Sequence, residues 1–220
     1  MRIDSKFEHT ARLANGQRVH IRLLRPGDEA LILDGFRQLS EDSRYERFHG
    51  AVTALSPEWL RYLAAVDQQD HIAVGAYSDI DPPHGLGVAR CIRLEDDPRS
   101  AEVAVTVVDR LQGQGLGTLL MGLLVVAARE RGIDHFRACV RGGNVAALAL
   151  VKGLTPRVTS RCSAGEVDLD VDLSGVTEAE LPLAAAHPTR ALLRLAAQGV
   201  PFRPPKDPEP LKPSAHPEAP

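Results

Sequence analysis

An alternating apolar run, Glu102-Val103-Ala104-Val105-Thr106-Val107-Val108, leads into Gln112-Gly113-Gln114-Gly115-Leu116-Gly117-Thr118, and then into a long apolar stretch ending near Arg131. This order predicts a strand, a glycine-rich turn and a helix N-terminus, which leaves few folds open. First-turn N–H groups of a helix have no intrahelical partner and sit at the positive end of its dipole. Glycine lets the backbone come close to a ligand and adopt positive φ. The junction is therefore a cradle for a phosphorylated ligand; the plain alternative is a tight turn with no ligand. A Walker loop needs Gly-Lys-Ser/Thr, whereas Gly117 precedes Thr118-Leu119. A dinucleotide fingerprint starting at Gly113 needs glycine at position 118, which is threonine.

Other function classes recede on composition. The formal charge of −3 gives no electrostatic case for nucleic acid or an anionic membrane. The most apolar segment, Leu116 to Ala128, is too short to span a bilayer, and the N-terminus has no apolar signal region. Cys91, Cys139 and Cys162 are odd in number and form no C-x-x-C, so buried free thiols are expected rather than disulfides or a metal site. These features predict a cytoplasmic protein without metal.

Along the chain, Asn15-Gly16 between two alternating segments predicts a hairpin. Asp28 is placed to cap a helix that turns Leu31, Ile32 and Phe36 inward, Ser40 to cap a second, and Ser56-Pro57-Glu58 to open a third. Strands follow over His71 to Tyr77, Leu86 to Leu94 and Ala101 to Val108. The glycine-opened helix stops at Gly132, a C′ glycine. A strand from His135 to Val140, a helix from Asn144 to Lys152, and strands near 157–163 and 166–173 complete the pattern. Asp168, Asp170 and Asp172 read as a solvated strand face. From Val176 the character changes: 188–198 can form one amphipathic helix, and proline-rich 201–220 is expected to be extended or disordered.

Gln112 to Gly117 reads Q-x-x-G-x-G, which resembles the acyl-CoA pyrophosphate motif of the GNAT superfamily of N-acetyltransferases. The element order β-β-α-α-α-β-β-β-α-β-α-β-β is what that fold would give. Arg22-Leu-Leu-Arg-Pro-Gly-Asp-Glu resembles the family's first strand and its exit into helix one. Leu39-Ser-Glu-Asp-Ser-Arg-Tyr-Glu-Arg-Phe and Leu55-Ser-Pro-Glu-Trp-Leu are similar to bacterial Pat-type protein lysine acetyltransferases, and Asn144-Val-Ala-Ala147 to the family's N-x-x-A. The resemblance implies an α/β (α+β) GNAT fold: a mixed, mostly antiparallel central sheet of about seven strands flanked by helices. It would cover residues 8–175, with 176–220 as a C-terminal helical segment and tail.

The resemblance also implies a chemistry. Acetyl-CoA would be the cosubstrate, its pyrophosphate held by backbone amides of Gln112, Gly113, Gln114, Gly115, Leu116, Gly117 and Thr118. The main chain of Thr106 and Val107 would pair with the pantetheine arm. Asn144 would hold CoA from the second side, although a helix N-cap accounts for it equally well. The acceptor would be an amine, most plausibly a protein lysine. A lysine amine is only about one part in a thousand neutral at pH 7, a handicap of roughly 4–5 kcal/mol that a base or desolvation must offset. Glu102 is the candidate base, sharing a strand face with Ala104 and Thr106; a solvated strand carboxylate is its alternative. Many family members place a tyrosine acid where this chain has Val151, and a thiolate can leave without it. Cys139 reads as a core thiol. Arg44, Tyr45, Asp67 and His71 are candidates for the acceptor pocket. A small-molecule amine, or a domain that binds acyl-CoA without turnover, are the competing readings, and a homodimer is kept among the partner arrangements. No cyclic-nucleotide domain fits in 220 residues, so regulation by such a ligand is not expected.

Overall fold

The structure, a computed structural model, describes residues 2–48, 50–178 and 181. The hairpin forms as expected: β1 (Glu8–Arg12) and β2 (Arg18–Leu23) pair antiparallel across Asn15-Gly16. Three short helices follow: α1 (Glu29–Arg37), α2 (Glu41–Phe48) and α3 (Pro57–Ala64). Then come β3 (His71–Ser78), β4 (Gly85–Arg93), β5 (Ser100–Val107), α4 (Leu116–Arg129), β6 (His135–Arg141), α5 (Val145–Lys152), β7 (Val158–Ser163) and β8 (Glu166–Asp172). The sheet has eight strands in the order β1-β2-β3-β4-β5-β6-β8-β7, matching the element order expected from the sequence. The strand expected near 157–163 is β7, an exposed edge that turns through Ala164-Gly165 into β8. Every neighbouring pair is antiparallel except β5–β6, which α4 connects by a crossover.

Local chemistry explains most boundaries. The Ser56 side chain accepts from the Trp59 amide, with Pro57 in the first turn of α3. Ser40 Oγ accepts from the Ser43 amide at 3.2 Å and opens α2. Asp28 occupies the N-cap position of α1, but its side chain does not cap. Its carboxylate instead accepts two bonds from the Arg22 guanidinium, at 2.8 and 2.9 Å, and one from the Arg25 amide. A charge-assisted bidentate pair outcompetes a neutral cap bond there. Burial alone would raise the Asp28 carboxyl; Arg22 outweighs it and holds the group below its ordinary value.

Strand alternation divides the sheet into two unlike faces. Ile21, Ile72, Val74, Ala89, Cys91, Val103, Val105 and Phe136 belong to the main core with α4. That helix is buried along almost its whole circumference, from Leu116 to Ala128 with Thr118 excepted. The opposite face carries Arg22, His71, Arg90, Glu102 and Thr106 and is covered by α1, α2 and α3. A smaller cluster of Leu24, Val66 and Ala73, with Ile32 and Val88, packs there. The α1 helix lies directly on β4 because Gly85 has no side chain: a Cβ at that position would fall 2.2 Å from the Leu31 carbonyl oxygen.

Of the three thiols expected to be buried, Cys91 is buried, Cys139 is half-buried and Cys162 is exposed. Cys162 sits on edge strand β7, where five of six residues are exposed. Asp168 and Asp170 are exposed on β8. No described helix is long and apolar enough to cross a membrane. The expected helix at 188–198 and the proline-rich tail lie outside the described residues.

Candidate active site

The parallel β5–β6 pairing extends over three registers only: Ser100↔His135, Ala101↔Phe136 and Glu102↔Arg137. Beyond them β5 runs on to Val107 paired with β4, and β6 runs on to Arg141 paired with β8. A wedge therefore opens between the two strands, and one backbone edge of residues 103–107 faces it. At the wide end the chain passes through a 3₁₀ turn, Asp109–Leu111, into the glycine loop. Gly113 has φ 69° and Gly115 has φ 89°, a region closed to most side chains. Gly115 is the N-cap of α4 and supplies no side-chain cap. Leu116, Gly117 and Thr118 form the first turn, where amides have no carbonyl one turn earlier to bond. The Gln114 amide is tied to the Leu111 carbonyl at 3.4 Å, and its own carbonyl accepts from Ala14 in the β1–β2 turn.

Side chains of α2 bridge both lips of the wedge. On the β5 side, Ser40 and Ser43 hydroxyls donate to Asp109, and Gln112 Nε2 donates to Ser43 Oγ at 3.1 Å and the Val107 carbonyl at 3.2 Å. Gln112 thus braces the loop with its side chain. On the β6 side, Glu46 accepts from Arg141 at 2.9 Å and from Asn144 Nδ2 at 3.2 Å. Asn144 is 1% exposed, and its Oδ1 caps α5 by accepting from the Ala147 amide at 2.9 Å. Tyr45 packs under the Arg141 guanidinium, 5.0 Å from centroid to carbon.

At the closed end of the wedge stands Glu102, half-buried, on the last paired register. The β4–β5 register runs unbroken, so Glu102, Ala104 and Thr106 share the helix-covered face. Arg90 lies opposite Ala104 on β4 and is 2% exposed. Its Nη1 donates to the Leu63 carbonyl and to His71 Nε2, both at 3.0 Å. Arg47 of α2, 4% exposed, brings a second guanidinium to the same space. Burial, and then the field of Arg90, push Arg47 down to about 9. Burial pushes Arg90 down to about 10, and both stay cationic at neutral pH.

His71 is pushed down to about 4 by burial and by the Arg90 charge, so it is neutral at pH 7. Its Nε2 lone pair is engaged by Arg90, which leaves it no role as a base. Because the unfolded chain binds the proton near pH 6.5 and the folded chain only near 4, stability is full above pH 6.5 and falls as pH drops through that window. The expected contribution is on the order of 2–3 kcal/mol. In a His71→Gln variant, the fall in melting temperature between pH 6.5 and 4 should flatten. An unchanged acid limb in a pH series of melting curves would refute this.

The four residues expected around the acceptor do not come together. Arg44 donates weakly to the Arg37 and Thr53 carbonyls and lies over Phe36, 4.6 Å from the ring centroid. Asp67 is committed to its own loop, accepting from the amides of Gln69, Asp70 and His71. Tyr45 sits at the wedge mouth with Arg141. His71 alone reaches the Arg90 cluster. Arg47, Arg90 and Glu46 were missed by sequence reasoning. For Arg90 a signal existed: a lone arginine on the inward side of the apolar run Leu86 to Ile92.

Comparison with known proteins agrees with this geometry. A family model described as the acetyltransferase (GNAT) family matches residues 31–154. The chain is 32% identical over 191 residues to the acetyltransferase Pat of Mycolicibacterium smegmatis, an alignment covering 83% of this chain and 55% of that protein. The chain therefore spans about half the length of that relative. The GNAT domain of S. lividans PAT superposes with a TM-score of 0.69 at 25% identity, covering 78% of this chain and all of that domain. The putative acetyltransferase yncA of Salmonella typhimurium, solved with acetyl-CoA, shares the fold with a TM-score of 0.57 at 18% identity, over 71% of this chain and 95% of that one. A strand pair that parts beside a glycine-opened helix, matched over more than half the sequence by the family model, shows that this chain belongs to the GNAT family of acetyltransferases.

Proposed function

We propose that the chain transfers an acetyl group from acetyl-CoA to a protein lysine amine, by direct attack in a ternary complex with Glu102 as general base. One observation carries the reading: the β5–β6 wedge opens onto the uncapped N-terminus of α4 and closes at Glu102. Acetyl-CoA, when bound, supplies the thioester carbonyl that the amine attacks. Amides between Gly113 and Thr118 suit its diphosphate, because positive φ at Gly113 and Gly115 leaves no side chain between backbone and ligand. Beyond the Glu102 register the β5 edge that faces the wedge has no strand partner; the amide-bearing pantetheine arm would run along it past Thr106 and Val107, where the Val107 carbonyl is also held by Gln112. Asn144 contributes by capping α5 and fixing the β6 lip through Glu46.

Glu102 would take the amine proton, supplying what solution pH does not. An open groove of about 580 Å³, lined by Glu102, Arg137, Cys139, Arg161, Asp168 and Asp170, leads to it from the β6–β8–β7 side and has room for a lysine presented on a protein surface. Cys139 is no competing nucleophile: burial, then its contact with Glu166, push the thiol up to about 12. Likeness in the α2 and α3 segments to Pat-type enzymes favours the protein acceptor. Val151 is fully buried in α5 and offers no proton, so CoA would leave as thiolate. That buried valine is also what favours the second reading, acyl-CoA binding without turnover.

Calorimetry with acetyl-CoA, followed by thiol release with lysine peptides and free amines, tests the proposal. Affinity in the micromolar to low-millimolar range and release dependent on a lysine peptide are expected. Binding with no release for any amine would establish the non-catalytic reading, and no binding would overturn both.

A further inference from the structure

The helices α1–α3 and strands β3–β5 flank a partly open cavity of about 70 Å³. Phe48, Leu63 and Val88 make its walls mostly apolar, yet Arg47, Arg90 and Thr106 also line it. Arg90 Nε and Thr106 Oγ1 are buried with no hydrogen-bond partner. A buried donor left unbonded is destabilising, and buried cations are ordinarily paired. Among the described residues Arg90 also forms no ion pair with a carboxylate. Glu102 acts on Arg47, while the group acting on Arg90 besides burial is the Tyr62 phenol. Asp28 borders the cavity, but Arg22 holds both of its oxygens. Arg90 Nη1 instead meets neutral partners, the Leu63 carbonyl and His71.

The position of this charge is informative. Arg90 faces Ala104 in the β4–β5 register, midway between Glu102 and Thr106. It therefore flanks the stretch of β5 where the acyl group would be handed over. An acetyl group carries no negative charge to meet the Arg90 cation.

We propose that this cavity binds a carboxylate carried by one of the two substrates, held by Arg90 Nε–H and the Thr106 hydroxyl close to the reacting carbonyl. Which substrate carries it depends on the acyl-transfer reading above; the carboxylate site itself does not. The donor would bring it as the terminal carboxylate of a short dicarboxylic acyl chain. The acceptor would bring it as the carboxylate of an amino acid. In either case the bond changes are those of amine acylation: C–N forms, C–S breaks, and the amine proton passes to Glu102.

Paired substrates separate the sources. The donor arm compares succinyl-CoA with butyryl-CoA, and the acceptor arm compares amino acids with their amides. Preference for the carboxylate of at least tenfold in kcat/KM is expected in one arm, falling below twofold in Arg90→Met. A ¹⁵N titration of the unmodified protein with succinate gives a second readout that needs no turnover. The Arg90 Nε–H signal, assigned by its loss in Arg90→Lys, should move downfield with succinate and stay still with succinamide. If Arg90→Met does not fold, the native arms and this titration decide. Equal rates in both arms together with an unmoved Nε–H signal would overturn the proposal. Calorimetry with acetyl-CoA on the same sample tells that failure from failure of the acyl-transfer reading.

Discussion

Replacing Glu102 with glutamine is expected to lower kcat for lysine acetylation by about 10²–10⁴-fold, the usual contribution of a positioned general base. Glutamine preserves shape and hydrogen-bonding oxygen but does not accept the proton. The backbone at this position is fixed on both sides, by Ile92 on β4 and Arg137 on β6, so the sheet should tolerate the change. Acetyl-CoA affinity, measured by calorimetry, should persist, since the loop amides proposed to hold the diphosphate lie beyond the other end of β5. Residual turnover in the variant should rise with pH, because the amine must then deprotonate unaided. A fall of less than tenfold at saturating substrates would remove Glu102 from the mechanism.

Gly115→Val is the second large effect. At φ 89° a β-branched residue is a backbone outlier, with strain of about 1–3 kcal/mol. Relief of that strain would turn the first amides of α4 away from the wedge. Loss of two charge-assisted bonds to phosphate, at about 1.5–3 kcal/mol each, weakens acetyl-CoA binding by more than 100-fold. Gly132→Val is the matching control. Gly132 has φ 77° at the other end of α4, and a Cβ there would meet nothing within 4 Å. It should lose comparable thermal stability and keep its affinity. Equal affinity in the two variants would disprove a role for the loop amides.

Much of the scaffold was legible from local signals. The Gln112–Thr118 spacing, the Ser56-Pro57 helix start and the alternation along β5 each act within a few residues, so sequence carries them. The shared face of Glu102, Ala104 and Thr106 follows from period two alone. What was not legible depends on distant partners. Asn144 reads as a cap, but its bond to Glu46 joins residues 98 apart. Asp28 matches a capping signal and is claimed by Arg22 from the preceding strand. Arg47 looks like one more charge on a polar helix, Glu41 to Phe48, and only the docking of α2 on β5 turns it inward. Arg44 and Asp67 lie apart from the Arg90 cluster, Arg44 over Phe36 and Asp67 bonded to its own loop's amides, a placement that short-range reasoning cannot see.

The brevity of the β5–β6 ladder has a mechanical consequence. Strands β1–β5 form one panel and β6–β8 another, joined at the sheet by three rungs, beside them by the Arg99–Asp134 and Asp97–Arg137 pairs, and further by α4 and the side chains of α2. A ligand lying in the gap would act as a splint between the panels. Occupancy should then stiffen the whole molecule rather than its rim, so that loading with cosubstrate and resistance to unfolding rise together.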